Sequence, residues 1–244
     1  MTISIVAARR TPIGTAGHGL ASFSAADLAA AVMPVALLDA GLTADQVGEV
    51  VLGNCTGPGG DIARYVALQA NLGTDTPGLT VDRQCGSGLA AVTVAAALVN
   101  SGVGPVVLAG GVESASTSPR PGRAAFAPPE FGDPEMGAAA DHVAKLRGIT
   151  RERQDAYALR SHTRAATAIE HGAFDAELIP VGNLTRDERP RPGMTMARLA
   201  RMRPIFTPDG TATAGNSCGV NDGAAIVALL TDEERKHRAL PGLR

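Results

Sequence analysis

Fifteen consecutive residues, Gly86–Asn100 (GSGLAAVTVAAALVN), carry no charged side chain, and this stretch constrains the fold more than any other. Its apolar, Ala-rich content predicts a helix. A helix that is apolar on every side belongs in a buried layer, because none of its faces suits water. A sheet must therefore cover one side of it, and something further must cover the other. Short Val/Ile/Leu-rich runs bounded by Gly, Pro or polar residues predict strands at Ser4–Ala8, Glu49–Gly53, Leu79–Arg83, Pro105–Gly110 and Ala224–Leu230. Helical patterns fall between them at Ala25–Asp39, Ile62–Asn71 and Gly86–Asn100, with a long one at Arg151–His171. A last helix opens at Thr231, with Glu234 at capping-box spacing. Strand–helix alternation predicts an α/β class protein with helices on both faces of a mainly parallel mixed sheet.

The rhythm breaks between Ser114 and Pro134, a stretch rich in Ser, Pro, Gly and Ala with no period of 2 or 3.6. The helix that follows, Arg151–His171, is heavily charged and suits a wet surface, with Gly172 placed to end it. An Arg-rich irregular stretch, Arg186–Arg203, comes next, and the apolar pattern resumes only at Ala224. The expectation is a core built from residues 1–114 and 219–244, interrupted by a solvent-rich insertion at 115–218. At 244 residues the chain is long enough to bury such a core.

Bulk properties exclude several classes. A formal net charge of -2 argues against a general nucleic-acid or anionic-membrane binder. Lys145 and Lys236 are the only lysines among 22 basic residues, so anion sites must rely on arginine. The first ten residues lack the basic-then-apolar layout of a signal peptide. No uninterrupted run of about 18 apolar residues is present to span a bilayer. Cys55, Cys85 and Cys218 are too widely spaced for a zinc knuckle or a disulfide framework. No metal or cofactor is expected from these signals, and a reducing cytoplasm is the expected location.

One cysteine stands out. LTVDRQCGSGLAAV reads as a strand, a sharp turn and a helix, with Cys85 at the turn and Gly86 and Gly88 opening the backbone around it. The positive end of the helix dipole favours a thiolate there, an arrangement analogous to the serine nucleophile elbow of hydrolases. Asp82, close by, opposes that charge unless Arg83 or another cation offsets it. A lone cysteine is more often a small packing residue, which is the reading taken for Cys55.

VDRQCGSGLAAV resembles the nucleophile motif of the thiolase family, and further segments match in family order. These are ARRTPIG (Ala8–Gly14), AGGVESAS (Ala109–Ser116), EMGAAADHVA with the helix after it, and RPIFTPDGTATAGNSCGVNDGAA (Arg203–Ala225). The resemblance implies an αβα layered half with an inserted loop domain, and an acyl-CoA acyltransferase that carries its acyl group on Cys85. The group then passes to CoA or to the enolate of a second acyl-CoA, and CoA thioester serves as substrate rather than cofactor. In the matched register Arg191 meets the nucleotide end of CoA, while Ala214 and Cys218 line the pantetheine channel. Cys218 stands where the family usually has serine, which weakens a polar contact, and Asp82 stands where relatives often have asparagine. None of the five histidines falls in a family catalytic motif, and His162 reads as a surface or packing residue. The segment between Ser116 and Met136 is shorter than in tetrameric relatives, so a homodimer is expected.

A complete thiolase has two similar halves, and the resemblance covers the first half and its loop domain. The Asn-Glu-Ala and Gly-His-Pro motifs of the second half do not occur here, and its catalytic cysteine, in a Cys-x-Gly context, has no counterpart in family order. Three expectations follow. The chain is an acyltransferase completed by a second half, supplied for example by a separate polypeptide; or a non-catalytic acyl-CoA-binding scaffold; or a residual thioester hydrolase using Cys85 alone.

Overall fold

The computed structural model describes residues 2–119 and 125–243. A six-stranded sheet organises the first part of the chain, with strands β1 (Ile3–Arg10), β2 (Gly14–Thr15), β3 (Val47–Gly53), β4 (Gly78–Val81), β5 (Val106–Ser114) and β6 (Asn221–Thr231). The order across it is β1-β6-β5-β3-β4, with β2 also on β6. β4, β3 and β5 pair in parallel, and β6 is antiparallel to β5, β1 and β2. β6 therefore runs against every other strand, and the sheet is mixed, as the sequence leads one to expect, with two parallel pairings and three antiparallel ones, all on β6.

Helices α1 (Ala25–Asp39) and α2 (Ile62–Gln69) pack one face of this sheet through a large apolar cluster containing Leu28, Val32, Met33, Val50, Leu52 and Ile226. α1 starts at a reciprocal capping box between Ser24 and Asp27, which ties up two otherwise unpaired N–H groups. The opposite face carries α3 (Ser87–Ser101), the charge-free helix. Ala91, Ala95 and Val99 face the sheet and join Val51, Val107 and Ala109 in a second, smaller cluster. Glycine sets this close fit: a Cβ on Gly53 would lie 2.3 Å from the Ser87 carbonyl carbon. On the far side of α3, Leu89 is 74% exposed and Thr93 and Ala97 are exposed with it, so this face of the helix is uncovered by the described residues. By length and composition Gln84–Ser101 is apolar enough to cross a membrane, although its sequence holds no unbroken apolar run of about 18 residues. Scattered Ser, Thr and Gly interrupt the run without making the helix polar.

The chain divides into two compact units: residues 1–121, 176–188 and 220–244 form one, and 122–175 with 189–219 the other. The expected insertion at 115–218 is thus interrupted. Residues 176–188 return to the first unit because Arg10 holds them there. Its guanidinium pairs with Glu177 at 2.6 Å and Asp187 at 2.7 Å, and its backbone bonds with Glu177 and Ile179.

The second unit contains α4 (Met136–Leu146), α5 (Arg151–Glu170) and α6 (Met196–Ala200). α5 follows its sequence pattern, capped by Thr150 and ended by Gly172 at φ 67°. α4 falls where the sequence pattern gave no helix, and at its Gly137 the Phe206 ring fills the space where a side chain would go. Asp141 on α4 pins the 207–212 segment by accepting bonds from Thr207, Thr211 and Ala212 at 2.7–2.8 Å. Arg151, Asp155 and Asn216 form a linked set, with Asp155 accepting from both neighbours. The short helix α7 (Asp232–His237) closes the first unit after β6, capped by Thr231 as its sequence predicts.

Candidate active site

The parallel strands β3 and β4 end side by side, with Gly53 opposite Val81 and also opposite Gly111 of β5, which continues to Ser114. The segments leaving these three ends enclose an open cleft of about 480 Å³ within the first unit. Ligand sites of open α/β sheets form at such carboxyl ends. Cys85 lines this cleft, is exposed, and sits directly before Gly86, the N-cap of α3.

The turn that presents Cys85 is tightly bonded. Gly86 N–H donates to Arg83 at 3.1 Å, and Ser87 N–H to Gln84 at 3.0 Å. The Ser87 hydroxyl donates to the Gln84 carbonyl at 2.6 Å and accepts the Arg83 N–H at 2.8 Å. Asp82, read from the sequence as a charge against Cys85, is engaged locally: its carboxylate accepts the Gln84 N–H at 2.9 Å.

Cys55, taken from the sequence as a packing residue, lines the same cleft. Its thiol donates to the Gln84 carbonyl at 3.0 Å and lies 3.2 Å from the Ser87 hydroxyl. Burial pushes the Cys55 thiol above its ordinary value. The contact with Ser87 opposes this, while a hydrogen bond toward the Asp82 carboxylate and the negative charges of Asp82 and Glu113 add to it. Glu113, from the end of β5, organises the opposite lip. One carboxylate oxygen accepts the N–H groups of Cys55 and Thr56 at 3.1 and 3.0 Å, and the other accepts from the Asn54 amide at 3.1 Å. Asn54, Cys55, Thr56 and Glu113 were not singled out from the sequence. The signal available was their position just past the predicted strands Glu49–Gly53 and Pro105–Gly110.

The other predicted site residues fall in the second unit. The Arg191 backbone N–H donates to His162 Nδ1 at 3.3 Å, so His162 supports the Arg191 segment rather than standing free. Ala214 and Cys218 are exposed on one loop. Asn216 braces that loop: its Oδ1 accepts Thr213 N–H at 2.7 Å and its amide donates to Asp155 at 2.9 Å. The structure thus places Arg191, Ala214 and Cys218 in one compact unit and Cys85 in the other. No group of three or more His, Cys, Asp or Glu suited to a metal ion occurs among the described residues.

Comparison with known proteins decides the lineage of this arrangement. The model of the thiolase N-terminal domain matches residues 3–130 and 128–233. The chain belongs to the thiolase family. It is 46% identical over 244 residues to YhfS of Bacillus subtilis (strain 168), covering 98% of this chain and 65% of that protein. It is 38% identical over 268 residues to an acetyl-CoA acetyltransferase of Thiocystis violacea, covering 98% of this chain and 68% of the relative. The crystal structure of the Bacillus anthracis acetyl-CoA acetyltransferase superposes with a TM-score of 0.91 at 36% identity, over 99% of this chain and 68% of that one. The chain therefore spans about two thirds of the length of these thiolases.

Proposed function

We propose that this chain is the acyl-carrying part of a thiolase-type acyltransferase acting on acetyl-CoA or a related acyl-CoA. The observation that carries the proposal is the exposed Cys85 thiol, held by a bonded turn at the start of α3 in the cleft at the strand ends. Its sulfur attacks the thioester carbonyl, the carbon–sulfur bond to CoA breaks, and CoA leaves with the proton that Cys85 gave up. The positive end of the α3 dipole faces the negative charge that develops. A thioester on Cys85 then exchanges with CoA thiol or is attacked by the enolate of a second acyl-CoA. Arg191 is assigned to the CoA phosphates, with Ala214 and Cys218 along the pantetheine arm. The guanidinium suits that role by charge and forked geometry.

Enolate formation needs an oxyanion site and a proton-moving group. The residues that the family resemblance gives for them are absent from these 244 positions. Full condensation or thiolysis is therefore assigned to this chain together with a second half. The bare outer side of α3 supports that reading, because a second layer would cover Leu89. A homodimer in a reducing cytoplasm is the proposed setting, supported by three free thiols and by the outer edge of β4, which among the described residues has no strand beside it.

The test is to incubate the chain with acetyl-CoA and map the acetylated peptide by mass spectrometry. Thiolysis of acetoacetyl-CoA is then measured with and without the C-terminal part of a relative. Acetyl on Cys85, with turnover only in the mixture, is the expected result. Acetyl on Cys55 or Cys218 instead, or no acetylation, refutes the assignment.

A further inference from the structure

Gln84 lies in the turn just before Cys85. It has a φ of 53°, in the left-handed region that a residue other than glycine keeps only when its surroundings hold it there. Its N–H is taken by Asp82 at 2.9 Å. Its carbonyl oxygen accepts from the Ser87 hydroxyl at 2.6 Å, the Ser87 N–H at 3.0 Å and the Cys55 thiol at 3.0 Å. Two of these donors belong to the turn itself and would move with it. The third reaches in from the end of β3, 29 residues earlier, and anchors the turn to the sheet. Covalent geometry puts a carbonyl oxygen about 2.8 Å from the next Cα. The Cys55 sulfur therefore sits within about 6 Å of the Cys85 backbone.

We infer that Cys55 is a positioning residue for Cys85. Its thiol donates to the Gln84 carbonyl and holds the left-handed turn in the form that presents the Cys85 sulfur to the cleft. Burial favours the protonated thiol of Cys55, which is the form able to donate. The Glu113 carboxylate, bonded to the Cys55 N–H at 3.1 Å, fixes the donor from the other side. The inference rests on the reading of Cys85 as the acyl acceptor.

The experiment compares Cys55→Ala, which removes the donor, with Cys55→Ser, which keeps one. The rate of Cys85 alkylation by limiting iodoacetamide at neutral pH is followed by peptide mapping, and the melting temperature is recorded for each variant. Cys55→Ala is expected to slow Cys85 alkylation by about threefold, the effect of losing one weak hydrogen bond, while Cys55→Ser restores most of the rate. Equal rates in all three proteins would overturn the inference. So would losses in both variants that simply follow their melting temperatures. Acetylation by acetyl-CoA is measured in parallel. If it fails while the Ala/Ser contrast in alkylation holds, the positioning role stands and the acyl-carrier reading falls.

Discussion

Glu113→Gln replaces two oxygens by one oxygen and one NH2 at a place where every neighbour is a donor. Glu113 accepts the backbone N–H groups of Cys55 and Thr56 on one oxygen and the Asn54 amide on the other. If the glutamine keeps its oxygen on the two N–H groups, its NH2 faces the NH2 of Asn54. Asn54 cannot rotate to relieve this. Its nitrogen also donates to the Val112 carbonyl at 2.9 Å, and its oxygen accepts Gly57 N–H at 3.1 Å. Reversing the glutamine is worse, because two backbone donors then lose their acceptor. Three charge-assisted bonds become at best two neutral ones, a loss of about 1 kcal/mol each, and one donor is left unpaired at a further cost of about 1 kcal/mol or more. The site is only partly buried, so about 3 kcal/mol is the expected net destabilisation. At this chain length that is a drop in melting temperature of about 6–12 °C, read by circular dichroism. A Glu113→Gln protein that melts within about 2 °C of the parent would refute the reasoning, since it would mean that the lip does not depend on the carboxylate.

Arg191→Ala is expected to weaken CoA binding about tenfold while leaving a short pantetheine thioester unaffected, as only CoA carries nucleotide phosphates. Equal losses for both ligands, measured by calorimetry, would remove Arg191 from the phosphate site. In the second unit, burial alone would push the Asp141 carboxyl up, but bonds from Thr207, Thr211 and Ala212 outweigh it and hold the group below its ordinary 3.8. A carboxyl lowered on folding stabilises above its unfolded value, and that stability is lost as pH falls through the folded one. The advantage of the parent over Asp141→Asn in urea unfolding should therefore be constant above about pH 5 and shrink from there downward. A gap that stays the same down to pH 3 would contradict this.

The sequence by itself determined that α3 lays an apolar face on the sheet, the main strands and helices, and Cys85 as the residue at a strand–turn–helix junction. Each of these is a local pattern: a charge-free run, a short apolar run, a glycine-flanked turn. Pairing partners are not local. Only the tertiary structure set β6 against the other strands and brought residues 176–188 back to Arg10. It also seats the Phe206 ring against Gly137 of α4. The same holds at the site. Cys55 looked like a packing thiol because a sequence does not show which strand ends are neighbours. The parallel register that sets Gly53 beside Val81 and Gly111 is what carries Cys55 under the Gln84 carbonyl and Glu113 over its N–H. The nucleophile is written in a contiguous motif. The groups that hold it come from separate strands, and only the pairing of those strands decides which they are.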